Sequence, residues 1–308
     1  MNWFTRLWPV RATPQPAQAA RPAAVLATPP APPPPAVPLV EPAASAVDMV
    51  PPLRWLLDCA PLTEGPVSGA EQRALAALTE ALAQPAIPDK LLPRAAALMP
   101  QLIALMRQTD LPSAEIAARV SKDSLLAAEV MRLASSTFYR GQDDVTDLQQ
   151  AVTRIGQWGL QTVMARVLLK PIYQGAAGPW SARAGSRLWE HSEALARHAA
   201  AVATEAGQAP FDGYLAGMLH DTGWIVALNL IDRCGAAQPM PPSAAFAAQL
   251  DDRVHRLFGL AAMRWDITSG FTAFAGDARQ HGPASTGNLL AAVMRQAQQR
   301  CMQELSGA

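Results

Sequence analysis

Apolar residues recur along most of this chain at the spacing of a helix face. Leu98, Leu102, Leu105 and Met106 fall at i, i+4, i+7 and i+8, and Leu126, Val130 and Leu133 at i, i+4 and i+7. Val145, Leu148, Val152 and Ile155 nearly repeat the pattern. Leu160, Val163, Val167 and Leu168 continue it, as do Leu188, Ser192, Leu195, Ala199 and Val202. Thr146 with Gln149 reads as a capping box ahead of residues 151–155. Further upstream, residues 53–84 carry one amphipathic helix over 71–82, closed by Pro85. Nowhere does a period of two persist between hairpin turns. The pattern predicts an all-α protein, a multi-helix bundle.

Proline marks the boundaries. Of 28 prolines, 14 fall between Pro9 and Pro52, among alanines and with almost no charge. Such a stretch can neither close a hydrogen-bond ladder nor bury a core, so it reads as a disordered, extended Pro/Ala-rich tether. The expected division is a short amphipathic stub at 1–11, a linker at 12–52, an accessory helical segment at 53–86, a helical domain at 87–300 and a tail at 301–308. Trp3, Phe4, Leu7 and Trp8 share one side of the stub, with Arg6 and Arg11 nearby, a weak contact for a membrane surface or a partner.

Composition narrows the function classes. The chain has 308 residues, half of them hydrophobic, and 25 Lys+Arg balance 25 Asp+Glu. A neutral chain lacks the basic excess that drives counterion release on nucleic acid, so no nucleic-acid partner is expected. Cys59, Cys234 and Cys301 are odd in number and show no CxxC spacing, which argues against a disulfide framework or a cysteine metal site. No apolar run reaches the roughly 18 residues of a membrane helix. The expected compartment is the cytoplasm.

Two groups of motifs carry chemistry. The first is Leu92-Pro93-Arg94, Leu111-Pro112-Ser113-Ala114-Glu115-Ile116-Ala117, Ser121-Lys122-Asp123-Ser124-Leu125 and Val130-Met131-Arg132-Leu133-Ala134-Ser135-Ser136-Thr137-Phe138-Tyr139, leading into Ala151-Val152-Thr153-Arg154-Ile155-Gly156. The second is Leu188-Trp189-Glu190-His191-Ser192, then Leu215-Ala216-Gly217-Met218-Leu219-His220-Asp221-Thr222-Gly223. Together they resemble the HDOD domain, a bacterial signalling module related to the HD phosphohydrolases, over about residues 87–300. Ser135 stands where that family usually has Asn, and the stretch from Phe258-Gly259 to Trp265 lacks its usual His. Ser135, Ser136, Tyr139, Gly156, Trp189, Gly217 and Gly223 are the motif residues expected to serve structure. Ser135 and Ser136, with no flanking glycine, read as a helix end and not as nucleophiles.

The resemblance also implies a pocket. In the HD superfamily a His, a later His-Asp pair and a final Asp hold a metal that activates water. His191 matches the first ligand and His220-Asp221 the pair. The final carboxylate is expected near residues 290–296, yet no Asp or Glu occurs between Ala278 and Gln303; Arg295 and Gln296 stand there instead. Asp251, Asp252, Asp266 and Asp277 lie in other segments. Nor does the chain carry the GYP signature of the cyclic-di-GMP phosphodiesterase branch, of which Gly213-Tyr214-Leu215 is only an echo. His191, His220 and Asp221 therefore read as a relic pocket, its histidines tying neighbouring helices and Asp221 accepting from His191 or capping Thr222-Gly223. His198 reads as surface or core filler, His255 lacks ligand spacing, and His281 is a weak candidate for the same pocket.

The expectation is a non-catalytic regulatory module with no catalytic residue, metal or cofactor, which binds a protein partner of a signalling pathway. Two alternatives stay open: a degenerate metal-dependent phosphohydrolase, and a nucleotide sensor using the relic pocket, with Arg132, Arg154 and Arg187 as phosphate partners.

Overall fold

The computed structural model describes residues 49–92, 113–136, 145–175, 178–234, 240–265, 267–284 and 288–307. The stub, most of the Pro/Ala-rich stretch, the heptad-like run at 98–106 and Tyr139 lie outside the described residues. Those described form an all-α architecture without a strand. In chain order the helices are α1 (Leu53–Leu57), α2 (Gly69–Ala83), α3 (Ser113–Val120), α4 (Ser124–Ala134), α5 (Leu148–Tyr173), α6 (Pro179–Glu205) and α7 (Pro210–His220). They are followed by α8 (Thr222–Arg233), the single turn α9 (Ala244–Ala247), α10 (Leu250–Ala262), α11 (Ser269–His281) and α12 (Leu289–Gly307).

Local chemistry sets the helix ends. Ser68 caps α2 in a reciprocal box with Glu71, and Asp123 caps α4 by accepting from the Leu126 N–H at 2.9 Å. At the other end of α4, Ser135 Oγ donates to Met131 O and Ser136 Oγ to Leu133 O, at 2.9 and 2.7 Å. The α5 cap falls one residue later than the sequence suggests: Asp147, not Thr146, accepts from an N–H, that of Gln150, at 2.8 Å. A carboxylate is the stronger acceptor for a helix N-terminus, and Thr146 instead bonds the Gln150 side chain. Gly156 interrupts α5 with φ 63° and ψ −171°, a conformation open to glycine and strained for any side chain.

α6 is the spine, with α7, α12, α8, α1 and α5 packed around it. Its N-terminus is capped from across the fold: the Asp232 carboxylate accepts from the N–H groups of Trp180 and Ser181, both at 3.0 Å, and from Ser181 Oγ at 2.7 Å. α7 lies backbone-to-backbone on α6, because a Cβ at Gly217 would stand 2.5 Å from Ala196 Cα. Gly223 allows a similar approach of α8 to α10, its missing Cβ falling 2.2 Å from Val254 O. Trp189 packs edge-on against Tyr173 and lies beneath Arg166 and Lys170.

The segment before the bundle is a strap across its second half. Met49 and Val50 are already buried, so packing begins inside the stretch that composition assigns to the linker. α1 lies on α6; Thr63 then exchanges backbone hydrogen bonds with Pro242 and Ala244, both at 3.0 Å. Glu71, buried, accepts from Ser243 N at 2.7 Å and Ser243 Oγ at 3.0 Å. These bonds outweigh the burial that would raise the Glu71 pKa and lower it instead. α2 packs on α8 and α10, and Asn229 Nδ2 donates to Leu91 O at 3.1 Å.

The trans cap of α6 gives a stability prediction. Asp232→Ala removes three hydrogen bonds from the first turn of α6 and is expected to cost about 1–2 kcal/mol. Urea unfolding should show a lower midpoint with unchanged slope.

Candidate functional site

Three helices converge on a pocket without solvent exposure. α6 contributes His191 and Ser192, the α7–α8 corner His220 and Asp221, and α12 Gln298; the first four are 0% exposed and Gln298 2%. His191 sits on the α6 stripe that includes Leu188 and Leu195. The Gly217 contact brings α7 close enough for Asp221 to reach it.

The geometry is that of an internal ion pair. His191 Nδ1 donates to Asp221 Oδ2 at 2.6 Å, and Ser192 Oγ donates to the same oxygen at 2.8 Å. On the other side of the ring, His191 Nε2 donates to Gln298 Oε1 at 3.0 Å. The Asp221 carboxylate keeps the ring protonated, and an imidazolium donates from both nitrogens, which matches Gln298 presenting its Oε1. Burial opposes that charge, but the charge and the hydrogen bond of Asp221 outweigh it and push the His191 pKa up to about 10. Burial likewise opposes the charge of Asp221, and the His191 imidazolium still holds its carboxyl well below the ordinary range. Tyr173, buried beside Asp221, is raised by burial and by that carboxylate, and its Oη donates to Met218 O at 2.5 Å.

His220 turns elsewhere. Its Nε2 faces His255 Nδ1 at 2.9 Å, in a box closed by the rings of Phe258 and Phe274. Its Nδ1 stands 3.9 Å from Asp221 Oδ1, beyond a hydrogen bond. Burial, followed by the fields of His220, Arg256 and Arg295, pushes His255 well below the ordinary histidine range, so its ring is neutral. His198 pairs with Glu304 at the surface. His281 does not join the pocket: it is exposed on α11 and bonds Asp277 one turn away.

These residues do not fit a metal. Among the described residues, no three His, Cys, Asp or Glu side chains converge in a way that could hold an ion. Both His191 nitrogens are protonated and spent. Among the His191, Ser192, His220, Asp221 and Gln298 side chains, the buried atoms left without a hydrogen-bond partner are His220 Nδ1, Asp221 Oδ1 and Gln298 Nε2, and the last is an N–H donor that repels a cation.

Gln298, His255 and Trp55, whose ring meets His191 edge-on at 6.1 Å, are the site's members that the motifs did not announce. Gln298 had a signal: it is the polar exception on the buried stripe Ala291, Met294, Cys301 of α12. Asp221 heads α8 without a side-chain cap bond, and its Oδ2 goes to His191 and Ser192.

Residues 92–237 match the sequence model of the HDOD domain. The chain carries an HDOD domain. It is thereby related to the HD phosphohydrolases. No curated protein sequence matches the chain significantly. The HDOD fold is shared with an HDOD domain protein of unknown function from Geobacter sulfurreducens, 20% identical, over 76% of this chain and 79% of that one, with a TM-score of 0.51. It is also shared with a Shewanella amazonensis protein provisionally named a metal-dependent phosphohydrolase, 14% identical over 78% of this chain and 90% of that one, with a TM-score of 0.55. At these identities the likeness concerns the fold alone. Among the described residues no helix is long and apolar enough to cross a membrane.

The neutral His255 fixes a pH dependence. Its folded pKa lies below the unfolded value of about 6.5, so its contribution is fully present above that pH and is lost as pH falls towards the folded pKa. Denaturation midpoints of the whole chain should therefore drop between neutral and mildly acidic pH, and His255→Asn should flatten that drop.

Proposed function

We propose that this chain is a non-catalytic regulatory module that acts by binding a protein partner through its HDOD domain. The observation that carries this reading is the state of His191. Both its ring nitrogens are committed, one to Asp221 and one to the neutral amide of Gln298. A hydrolytic HD site needs neutral imidazoles and carboxylates free to face a cation. Here the positive charge in the pocket is a proton, held by an imidazolium with a pKa of about 10. With the pocket closed to solvent and His191 holding its proton, the pocket is suited to rigidity. What remains for such a domain is recognition at its surface, with a partner selecting among its states.

The test is metal content and phosphoester hydrolysis of the full chain after incubation with Mn²⁺, Mg²⁺, Fe²⁺ or Zn²⁺, beside His220→Ala and Gln298→Asp. Wild type is expected to hold background metal and to leave mono-, di- and cyclic phosphoesters intact. Gln298→Asp adds a second carboxylate beside His191 and should raise metal content above wild type. Near-stoichiometric metal in wild type that disappears in His220→Ala, with turnover, would overturn the reading.

A further inference from the structure

His191 is the last member of an α6 stripe that α1 covers. Arg183, Arg187 and His191 fall at i, i+4 and i+8 on one helix face. Along it lies the short helix of the strap. Arg183 Nε donates to Leu57 O, and its Nη2 to Asp58 O at 2.9 Å. Arg187 Nη1 donates to Trp55 O at 2.7 Å, and another guanidinium nitrogen pairs with Asp58 Oδ1 at 2.8 Å. The same guanidinium lies 5.3 Å over the Trp55 ring, which then meets His191.

The chemistry is that of recognition. At the end of this five-residue helix backbone N–H groups reach Arg54 O and Trp55 O, and the carbonyls beyond them need donors from elsewhere. Two guanidinium groups from another helix take the turn-end carbonyls of Trp55, Leu57 and Asp58, and Asp58, in the left-handed region at φ 46°, ends the helix at that point. Leu56 and Leu57 are completely buried. The strap precedes residues 92–237, so the occupant lies outside the matched HDOD region while Arg183, Arg187 and His191 lie within it.

We propose that the Arg183–Arg187–His191 stripe is a docking site for a short apolar helix that ends in free carbonyls and carries an aromatic ring, and that residues 53–58 occupy it in cis, closing the His191–Asp221 pocket. This deepens the partner-binding reading and rests on it for one point only: a partner using this face must displace the segment and bring the same chemistry. The leucines supply most of the burial, and the arginines set direction and register.

Hydrogen exchange by mass spectrometry on the full chain, in wild type and Arg183→Ala/Arg187→Ala, tests it alongside the ¹H resonance of the His191 ring N–H. That proton, bonded to Asp221, should resonate far downfield and persist in wild type because α1 keeps water away. In the double variant, loss of the charge-assisted bonds should speed exchange at 53–58 by at least about tenfold. Exchange in α2 and α10 should stay unchanged, and the imidazole resonance should broaden. Unchanged exchange at 53–58 overturns the latch; acceleration shared with α2 and α10 makes the segment plain core. A sharp imidazole resonance with 53–58 open means that α1 does not close the pocket. Should the double variant fail to fold, wild type in dilute urea decides: residues 53–58 must open before α2 and α10. Metal binding does not enter these readouts, so the failure of this inference and that of the non-catalytic reading stay separate.

Discussion

The ion pair between His191 and Asp221 is the constraint around which the second half of the fold is arranged. Two opposite charges without solvent exposure cost several kcal/mol each to desolvate, and they persist only when geometry and further hydrogen bonds repay that cost. The surroundings meet this demand group by group. Ser192 gives Asp221 a second donor, Gln298 takes the outer N–H of His191, and Cys301 contacts the His191 carbonyl. For Asp221 to arrive at 2.6 Å, α7 has to touch the α6 backbone, and Gly217 is what lets it. The Tyr173 hydroxyl ties α5 to the same corner through Met218 O.

Charge arithmetic links the identity of residue 298 to the proton on His191. One imidazolium and one carboxylate sum to zero, and a neutral amide completes the shell without disturbing that balance. A carboxylate in the place of Gln298 would leave a buried net negative charge, which a divalent cation could neutralise with His191 deprotonated. The amide and the ring proton are therefore two expressions of one state. His220 stands apart from that pair: Asp221 Oδ2 is bonded by His191 and Ser192, and the His220 imidazole turns to His255 and to the Phe258 and Phe274 rings.

Much of this was legible in the sequence, and the limits have physical causes. Helical periodicity announced the all-α class, and the family resemblance carried by His191 and His220-Asp221 implied a pocket. The missing late carboxylate was also visible, but Arg295 and Gln296 drew the eye, while the facing residue is Gln298. Two positions are more than half a turn of helix, and only packing fixes the rotation of α12. His255 carried no spacing signal because its partner is 35 residues away and joined by tertiary contact. His281, a weak candidate for the pocket, lies outside it and bonds Asp277 locally, as any exposed i, i+4 pair can. The Thr146 box failed for a subtler reason, since an adjacent Asp competes for the same N–H groups and wins by charge.

The strap shows how a segment with little structure of its own becomes specific. α1 has one full turn, too short to be stable in isolation, and apolar burial of Leu53, Leu56 and Leu57 would hold it in many orientations equally well. Direction comes from Arg183 and Arg187, because carbonyls converge at only one end of a helix and guanidinium donors are rigidly forked. Once that end is fixed, Trp55 has a single place to go, over His191 and under Arg187. The same division recurs further along the strap. Leu75 and Leu78 of α2 provide area, while the Glu71 carboxylate, fixed by Ser68 and Ser243, chooses the register. Apolar contacts keep the strap on the HDOD bundle, and a few buried polar bonds decide where it lies.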